Sequence, residues 1–386
     1  MSLPKKKIRV VHILRPGIGG AAKHLELLVK YWSASDISLS VITSPLENSK
    51  FPETLRPFVE QVWEVPIERE IRLFADGIAF WRIWKILIRE RFDGVHTHAS
   101  KAGLLGRVAA FFAGVPRRIY TPHGFYFSYN IAFWKKCFFF VLEFFLSPLT
   151  SAFVCLTDAE AQQARWLTSR KKIVKIPNAL DVEAFQRSAE KAGEPLPLTL
   201  QESKHWLLMV ARLTPPKDPL TPIHALPTIL LLFPEIKLVF VGDGELREEA
   251  ERLVQKLHLE LNVFFLGTRT DVPVLLKRST ISVLSSFWEG LPYILLESLA
   301  LAIPLIASDI PGHKQVIQDR KNGRLFETGN PESFAQVVQD LLSHPESMSR
   351  LGESGLKTVE THFALDAWLK AFQNLYSQKG KNKPLK

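Results

Sequence analysis

The chain has 386 residues, of which 46% are hydrophobic and 23% are charged, and its formal net charge is +10. At roughly 150 residues per domain, this length indicates two or three domains. The composition excludes disordered, collagen-like and low-complexity chains, and two cysteines cannot form a disulfide framework, which indicates a reducing compartment.

Apolar runs alternate with helical patterns along the first half of the chain. The first run is followed by a glycine turn (Gly17, Gly19, Gly20) and by apolar residues at helical spacing. A buried run, a glycine turn and a helix make up the βα unit of a parallel sheet. The predicted strands of this half are Ile8–Leu14, Ser38–Thr43, Gly94–Thr97 and Arg118–Thr121.

A polar stretch, Arg187–Leu200, contains Gly193, Pro195 and Pro197 and is predicted to be a linker. A second series of strands follows it, and the last helical pattern, Leu365–Tyr376, carries a single apolar stripe. The predicted strands are Trp206–Ala211, Lys237–Val241, Val263–Leu266, Ile281–Leu284 and Pro304–Ala307.

These patterns predict an α/β protein with two doubly wound, Rossmann-like domains that face each other across a cleft, with ligands beyond the carboxyl ends of the strands. We expect domains at 1–190 and 200–364. Residues 365–386 would form a C-terminal helix, which crosses back to the first domain, and a basic tail.

The segment Ser285–Pro311 is the most informative for function. Gly290 would let the backbone approach a ligand closely, and free amides at the start of the following helix suit a diphosphate. Glu289 lies before that helix and Glu297 within it, where a carboxylate can accept both hydrogen bonds of a ribose diol. Together they describe a nucleotide-sugar site; two solvated glutamates on a helix are the alternative.

A second segment, Val210–Asp218, places two cations at the end of a predicted strand. Arg212 ends the strand, and Lys217 follows five residues later in a proline-stiffened loop. Such a pair can neutralise a diphosphate and the charge that develops on it as a leaving group. The alternative is that both side chains are simply solvated.

Several motifs, taken in order, resemble the retaining GT-B glycosyltransferases of glycosyltransferase family 4, and the resemblance covers nearly the whole chain. The pair Glu289 and Glu297 resembles the Glu-x7-Glu signature of that family, and Arg212 and Lys217 match its Arg-x4-Lys pair. The other matching segments are Gly19-Gly20, His96–Arg107 (HTHASKAGLLGR), Tyr120–Phe125 (YTPHGF), Ile176–Asp181 (IPNALD), Val241–Glu245 (VGDGE) and Asn322-Gly323.

The resemblance implies a role for each of these positions. Arg212 and Lys217 would contact the donor diphosphate, Glu297 the ribose and Glu289 the sugar hydroxyls. Backbone amides of Gly290, Leu291 and Pro292 would reach the phosphates and sugar, and Gly19 and Gly20 would close over the donor. His123 would lie beside the transferred sugar. The backbone at Gly267–Thr270, including Gly267 and Arg269, would face the base, for which uridine is the default.

Three positions depart from the family pattern. Ala179 and Ala302 stand where the family commonly has glycine, and Pro311 interrupts its usual Gly-Gly pair. Alanine replaces glycine without strain only where φ is negative, so we expect negative φ at these alanines. The changes lie outside the Arg, Lys and Glu set and concern loop detail more than activity.

The histidines leave more than one interpretation open. His123 follows Pro122 at a strand end, where a backbone-satisfied histidine is the alternative to a catalytic or substrate-contacting one. His96 and His98 share one face of a strand and have a spacing that can bind metal. The sequence indicates no further cluster that would complete a metal site. His98 and Lys101 are therefore interpreted as acceptor-side residues, and activity is expected to need no metal or other cofactor.

A front-face substitution is the mechanism that these residues favour. The family retains anomeric configuration, and a double displacement would need a carboxylate nucleophile beneath the anomeric carbon. No candidate for that nucleophile stands near His123 or Gly19 in the sequence. Arg212 and Lys217 would stabilise the departing diphosphate, whose oxygen would help to deprotonate the acceptor.

Two apolar segments in the basic half bear on the acceptor. The excess charge lies wholly in residues 1–194, with 28 Lys and Arg against 18 Asp and Glu. Ile78–Arg91 carries Trp81, Trp84 and Ile88 on one face. Ile131–Leu149 is aromatic on several sides, and Lys135 and Lys136 within it flank its run of phenylalanines. Packing of both segments on the sheet is the alternative, but for the second we expect contact with an anionic membrane.

The sequence therefore predicts a hexosyltransferase that passes sugar from a nucleotide diphosphate, UDP by default, to a lipid-linked saccharide or polysaccharide precursor. It would be cytoplasmic and peripheral at the inner membrane face, since no segment has ~20 uncharged apolar residues and no signal peptide is evident. A sugar-nucleotide epimerase of GT-B architecture and a non-enzymatic membrane scaffold are the alternatives. No nucleic-acid-binding module is present in the sequence.

Overall fold

A computed structural model of the chain describes residues 7–15, 19–129, 131–203 and 205–378. The chain divides into two compact units. The first consists of residues up to Asn178 together with those from Asp366 onward, and the second runs from Ala179 to Leu365.

The first unit is built on a parallel sheet of seven strands, counted over the described residues. The strands are β1 (Ile8–Leu14), β2 (Ile37–Thr43), β3 (Val62–Glu64), β4 (Gly94–His98), β5 (Arg117–Thr121), β6 (Ala152–Cys155) and β7 (Ile173–Lys175). Their order across the sheet is β3-β2-β1-β4-β5-β6-β7. The chain therefore reverses its direction of winding between β1 and β4, which is the topological switch point of this sheet.

Helices cover both faces of the first sheet. They are α1 (Gly20–Lys30), α2 (Phe51–Leu55), α3 (Leu73–Glu90), α4 (Ser100–Phe112), α5 (Phe133–Leu146), α6 (Asp158–Ala164) and, from the end of the chain, α16 (Leu365–Ser377). Because parallel crossovers are right-handed, α3, α4 and α5 lie on one face and α1 on the other. Gly103 and Gly106 of α4 lie against Tyr120 and Thr97 of the sheet, where a Cβ would come within 2.5 Å of each side chain.

The second unit has a parallel sheet of six strands within the described ranges, in the order β10-β9-β8-β11-β12-β13. These are β8 (Trp206–Val210), β9 (Lys237–Val241), β10 (Val263–Phe265), β11 (Ile281–Leu284), β12 (Leu305–Ser308) and β13 (Arg324–Phe326). Winding reverses between β8 and β11. The prediction of two doubly wound, Rossmann-like α/β domains is therefore confirmed.

Nine further helices, among the residues described, surround the second sheet. They are α7 (Val182–Ser188), α8 (Leu198–Gln201), α9 (Leu220–Leu230), α10 (Arg247–Lys256), α11 (Val272–Arg278), α12 (Tyr293–Ala300), α13 (Pro311–Lys314), α14 (Pro331–Ser343) and α15 (Pro345–His362). The largest core cluster lies here and includes Leu207, Phe240 and Phe334, all fully buried. Among the described helices, none is both long enough and apolar enough to cross a lipid bilayer.

Each predicted strand exists, with ends that agree to within one residue, but β3, β6, β7 and β13 were not predicted. These strands have three or four residues, which is too short for a periodic pattern to distinguish strand from loop. The predicted linker also contains the short helix α8.

The expectation of negative φ at Ala302 is wrong. Ala302 has φ 54° immediately after α12, in the left-handed conformation that usually selects glycine at a helix end. The amide of Ile303 still closes the helix by donating to the Ser298 carbonyl at 3.1 Å. The alanine therefore carries a backbone strain of about 1 kcal/mol that a glycine would not.

Candidate functional site

The Arg, Lys and Glu residues singled out in the sequence lie at the switch point of the second sheet. Arg212 follows β8, Lys217 ends a short 3-10 turn at Pro215–Lys217, and Glu289 follows β11. β8 and β11 are paired neighbours, so their carboxyl ends bring these side chains to the same edge of the sheet. In open α/β sheets this is where ligands bind.

Lys217 and Glu289 form an ion pair, Nζ to Oε1, and both side chains are largely buried. Ser286 Oγ also donates to Glu289 Oε1, at 3.0 Å. Burial lowers the pKa of Lys217 to about 7, and the nearby positive charge of Arg212 adds to this effect. An anion bound here would stabilise the protonated lysine, so binding and protonation are coupled at this site.

Hydrogen bonds join the two loops that carry these residues. The Phe287 amide donates to the Pro216 carbonyl at 2.9 Å, and Ser285 Oγ donates to the Asp218 carbonyl at 2.6 Å. Asp218 itself has φ 50° and accepts from the Thr221 hydroxyl at 2.6 Å. The position of the Lys217 ammonium relative to the Glu289 carboxylate is therefore set by both loops together.

Close backbone contacts brace the site from both sides. A Cβ at Gly242, in the turn after β9, would lie 2.0 Å from the Ala211 carbonyl oxygen, next to Arg212. A Cβ at Gly312 would lie 2.2 Å from the Gly290 carbonyl oxygen. Glycine is required at Gly312, whereas Pro311 opens α13 at a first helical position where proline is favourable.

Helix α12 begins at Tyr293 with Pro292 before it and without a side-chain cap. Glu297 lies one turn inside this helix and is only 5% exposed. Leu291 is also buried, and Gly290 is partly exposed where the loop from β11 enters the helix. The electropositive start of α12 and the buried carboxylate of Glu297 thus follow Glu289 closely along the chain.

The loop after β10 holds the two remaining residues expected to contact a nucleotide. Gly267 has φ 66°, and the space where its Cβ would stand is open. The Arg269 guanidinium, in contrast, is held by Asp271 Oδ2 at 2.8 Å and by the carbonyls of Glu194 and Pro195 at 3.0 Å. Arg269 therefore ties the predicted linker to this loop, and the open backbone of Gly267 is the better placed for a ligand.

The first unit contains the other predicted residues. Gly19 has φ 89° and directly precedes α1, which Gly20 begins; Gly17 lies outside the described residues. Lys101 forms an ion pair with Asp76 at 2.6 Å and donates to the Glu70 carbonyl. Its ammonium group is thus committed to α3 and the loop before it.

His123 is partly exposed and lies just beyond β5. It has φ 53° and is followed by Gly124 with φ 99°, so two consecutive residues adopt a left-handed backbone. The buried Glu160 accepts hydrogen bonds from the amides of Gly124 and Leu156, and burial raises its pKa to about 7. Strained backbone of this kind persists where the surroundings hold it in place, commonly at functional sites.

His96 and His98 are joined by a third histidine, His12, so the expectation that nothing completes this cluster is wrong. His12 is paired with His96 across β1 and β4, and one ligand nitrogen from each ring lies within 4.8 Å of the others. Their pKa values are lowered by burial, that of His12 to about 3. Since His98 is fully buried, its ring contacts other histidines rather than the surface where an acceptor would bind.

Sequence reasoning missed several buried polar residues at these sites. They are His12, His24, Glu160, His313 and Tyr376. His313 donates from Nδ1 to the Ser308 carbonyl at 2.9 Å, and its Nε2 has no hydrogen-bond partner among the described residues. Each lies in an otherwise apolar or unremarkable segment. Only the alignment of His12 with His96 on adjacent strands could have been inferred from the fold class.

Family models match both halves of the chain. The model described as Glycosyltransferase Family 4 matches residues 18–184, and the one described as Glycosyl transferases group 1 matches residues 194–358. The second match contains Arg212, Lys217, Glu289 and Glu297.

Individual proteins are similar over most of their length. The Escherichia coli UDP-Gal:alpha-D-GlcNAc-diphosphoundecaprenol alpha-1,3-galactosyltransferase is 33% identical over 350 residues, which cover 88% of this chain and 89% of that protein. The putative glycosyltransferase EpsD of Bacillus subtilis is 30% identical over 325 residues, or 80% and 82%.

Solved structures share the fold. The crystal structure of Anabaena HepE in complex with UDP-glucose matches with a TM-score of 0.80 and 18% identity over 96% of this chain and all of that one. The crystal structure of a Staphylococcus aureus TarM mutant in complex with UDP and other ligands matches with a TM-score of 0.74 and 14% identity, over 97% and 100%.

Proposed function

The chain belongs to glycosyltransferase family 4, and we propose that it transfers a hexose from a UDP-sugar to a lipid-linked saccharide or another polysaccharide precursor, with retention of anomeric configuration. The observation that carries this proposal is the Lys217–Glu289 pair at the switch point of the second sheet, beside Arg212. The name of the E. coli relative, which specifies UDP-galactose and a diphosphoundecaprenol-linked sugar, supports the choice of donor and acceptor.

In this proposal the donor diphosphate binds between Arg212, Lys217 and the amides at the start of α12. Arg212 is exposed and Lys217 is largely buried, so an entering anion meets one cation at the surface and one that is paired with Glu289. Glu297 binds the ribose diol, Glu289 and His123 contact the sugar, and the open backbone of Gly267 faces uracil. Gly19 and Gly20 close over the donor.

Transfer proceeds by front-face substitution. The acceptor oxygen forms its bond to the anomeric carbon while the bond from that carbon to the diphosphate oxygen breaks. The acceptor proton passes to the departing diphosphate, and Arg212 and Lys217 take up the charge that remains there. The two cations perform the neutralisation that a divalent ion would otherwise supply, so we propose that activity persists in a chelator.

The protein meets the acceptor at the membrane through a surface formed by α3, α4 and α5, which we name the aromatic surface. Its members are large apolar side chains that protrude from one face of the first unit: Phe74, Ile78, Trp81, Phe111, Phe112, Phe133, Trp134, Phe138, Phe144 and Phe145. Large exposed apolar patches of this kind mark interaction sites.

Charge on α5 favours anionic lipid as the occupant of this surface. The one acidic residue of α5, Glu143, is turned inward, where it binds Arg107 at 2.9 Å and the Tyr120 hydroxyl at 3.0 Å. Lys135 and Lys136 remain on the outside near Trp134, and basic residues next to anionic lipid contribute about 1 kcal/mol each. We therefore place the protein at the inner face of the cell membrane.

The transfer itself is tested with radiolabelled GDP- and ADP-sugars for comparison and with UDP-galactose, UDP-glucose and UDP-N-acetylglucosamine as the proposed donors, each incubated with a synthetic sugar-diphosphate lipid. One of these donors is expected to label the lipid in the presence of EDTA, with an α-linked product by NMR. Labelling only with GDP- or ADP-sugars would contradict the choice of base, a β-linked product would contradict retention, and abolition by EDTA would contradict metal independence.

Membrane binding is tested by sedimentation with vesicles containing phosphatidylglycerol. The wild type is expected to pellet at low salt and to be released at high salt, because charge contributes to binding. Exchange of Phe138 and Phe145 for serine should weaken partitioning about tenfold or more, since each phenyl ring loses at least about 1 kcal/mol of burial in lipid. A matched Leu231→Ser, Leu261→Ser variant, altered at exposed leucines of the second unit, should bind normally; equal binding by both variants would contradict the aromatic surface.

A further inference from the structure

Histidines on or just beyond three neighbouring strands, β1, β4 and β5, lie on one face of the first sheet. His12 of β1 is aligned with His96 of β4, and His98 follows two residues later on the same side of that strand. His98 is in turn aligned with Thr121 of β5, and His123 follows Thr121 by two residues. Because side chains on a strand alternate between faces, these residues form a row across the switch point.

The rings in this row are joined by hydrogen bonds. His123 Nε2 lies 3.2 Å from His98 Nδ1, and His98 Nε2 lies 3.0 Å from His12 Nδ1. His12 Nε2 lies 3.5 Å from the hydroxyl of Tyr376, on α16. The Tyr376 hydroxyl also lies 2.7 Å from His96 Nδ1, and His96 Nε2 lies 2.8 Å from Thr121 Oγ1. One continuous chain therefore runs from the partly exposed His123 to the core.

The chemistry of neutral imidazole makes this chain directional. Burial lowers the pKa of each of these histidines, so all of them are neutral near pH 7. A neutral imidazole has one donor nitrogen and one acceptor nitrogen. Since both links between imidazole rings join a δ nitrogen to an ε nitrogen, His12, His98 and His123 must all be the same tautomer for the chain to be complete.

We propose that Tyr376, His12 and His98 are positioning residues that hold His123 in a single tautomer and a single orientation for sugar transfer. The inference rests on the proposed function, because His123 is the residue placed beside the sugar there. Its main chain is held independently by Glu160, through the Gly124 amide. The buried chain fixes the ring, and Glu160 fixes the backbone that carries it.

A metal ion is the competing interpretation of His12, His96 and His98, and the hydrogen bonds favour the chain. A metal takes the lone pair of a ring nitrogen. Here both nitrogens of His96 and His98, and Nδ1 of His12, already lie within 3.2 Å of a partner, and Nε2 of His12 faces Tyr376. A bound ion would have to break at least one link in the chain.

Other titratable groups also face His123. His24 of α1 lies edge-on to it, with ring centroids 5.1 Å apart, and donates from Nδ1 to Asn178 Oδ1 at 3.0 Å. Glu160 of α6 lies beneath Gly124. His24 has no hydrogen bond in the chain, and it therefore provides a control for packing against the same rings.

Kinetic tests compare variants of the full chain in the transfer assay. His12 makes no hydrogen bond to His123, and the hydrogen-bonded route between them passes through His98. We expect His12→Phe to lower kcat about tenfold, with KM for the UDP-sugar changed less than twofold, and to alter the pH profile of kcat. His12→Gln should recover most of the activity because a side-chain amide also offers a donor group beside an acceptor.

Two further variants guard against a trivial loss of folding. Tyr376→Phe removes the hydroxyl that joins His12 to His96 and should lower kcat about threefold with the fold intact by circular dichroism. His24→Phe changes packing without removing a link and should keep kcat within twofold. A loss in His24→Phe equal to that in His12→Phe, or a folded His12→Phe or Tyr376→Phe with wild-type kcat, would overturn the proposal.

A second readout does not depend on activity. In two-bond ¹H–¹⁵N spectra of protein labelled at histidine, His12, His98 and His123 should show one shared tautomer at pH 7, and His12→Phe should give His123 averaged shifts. Opposite or mixed tautomers in the wild type, or one tightly held metal ion per chain by elemental analysis, would overturn the chain. A protein with the expected spectra but no transfer would instead refute the proposed function.

Discussion

The two switch points of this protein have the same topology, but one carries charged side chains and the other carries neutral histidines. In the second unit, the edge of the sheet between β8 and β11 carries Arg212 and the Lys217–Glu289 pair. In the first unit, the corresponding strands β1 and β4 carry His12, His96 and His98, all buried, with pKa values lowered by burial.

The difference teaches how one fold serves two chemical tasks. A diphosphate needs positive charge, which the exposed Arg212 supplies directly and which Lys217, with its pKa lowered to about 7 by burial, supplies fully once an anion is bound. A neutral hydrogen-bonded row offers no charge, but it can hold a ring in one state with little reorganisation. The side chains at the two switch points therefore differ although the topology is the same: cations stand where a diphosphate is proposed to bind, and neutral histidines stand where a ring is to be held in one state.

The largest effect is expected from removing the cations of the second unit. An Arg212→Ala, Lys217→Ala variant should lose about 10⁴-fold in kcat/KM, since removing one preorganised stabiliser of developing charge typically costs 10²- to 10³-fold. Steady-state transfer rates measure this, with circular dichroism as the check on folding. Undiminished transfer by the folded variant would contradict both the site and the mechanism.

Acid should destabilise the protein chiefly through the neutral histidines of the first unit. The pKa of His12 is lowered to about 3 and that of His24 to about 4, and those of His96, His98 and His123 are also lowered. The unfolded chain, with histidine pKa near 6.5, binds more protons as pH falls, so folding stability is lost in that direction.

From pH 6.5 to 5.5 each such histidine should cost about 1 kcal/mol. His313, with pKa lowered to about 4, adds to the loss, whereas Glu160, with pKa raised to about 7, opposes it by about the same amount. Urea unfolding should therefore show that the free energy of unfolding falls by about 5 kcal/mol between these pH values. The fall should be smaller by about 1 kcal/mol in His12→Phe. An unchanged urea midpoint between these pH values would contradict the neutral row.

Donor binding should weaken with rising pH because of Lys217. Its pKa is about 7 in the free protein, and a bound diphosphate should raise it, so binding takes up a proton and is favoured at lower pH. The Kd for UDP-glucose, which has no phosphate that titrates in this range, should rise about 15-fold from pH 7 to 8.5 by calorimetry. Lys217→Arg should abolish the dependence, and a flat wild-type profile would contradict the assignment.

A smaller effect should follow from filling the space at Gly312. The new Cβ would lie 2.2 Å from the Gly290 carbonyl oxygen and 2.5 Å from that of Glu289, so backbone must shift beneath the site. Gly312→Ala should lower kcat/KM roughly tenfold, since a displacement of positioning groups by about 1 Å can cost about 10²-fold and a smaller shift is expected here. Gly77→Ala, where the space is open, should leave transfer in solution unchanged; the same loss in both would point away from the contact.

The outcome of sequence reasoning differed between the two switch points. Arg212, Lys217 and Glu289 were identified because charged residues at strand ends are conspicuous and their spacing resembles a family pattern. The row of histidines was not, because His12, His98 and Tyr376 come from positions up to 364 residues apart. Ala302 shows a further limit: it has a left-handed backbone and lies against Gly352, where a Cβ would come 2.1 Å from the Ala302 carbonyl oxygen, and these two residues are far apart in the sequence.

Local sequence patterns predicted the fold class and the positions of the main strands along the chain, and together with the family resemblance they singled out the residues of the charged site, because each of these signals lies within short stretches of sequence. Tertiary structure decided which side chains are withdrawn from water and which partners they meet. Pairing of Lys217 with Glu289, the inward turn of Glu143 and the alignment of His12 with His96 all depend on contacts between distant segments. Burial and hydrogen bonding are properties of those contacts, and they set the protonation states on which the proposed chemistry depends.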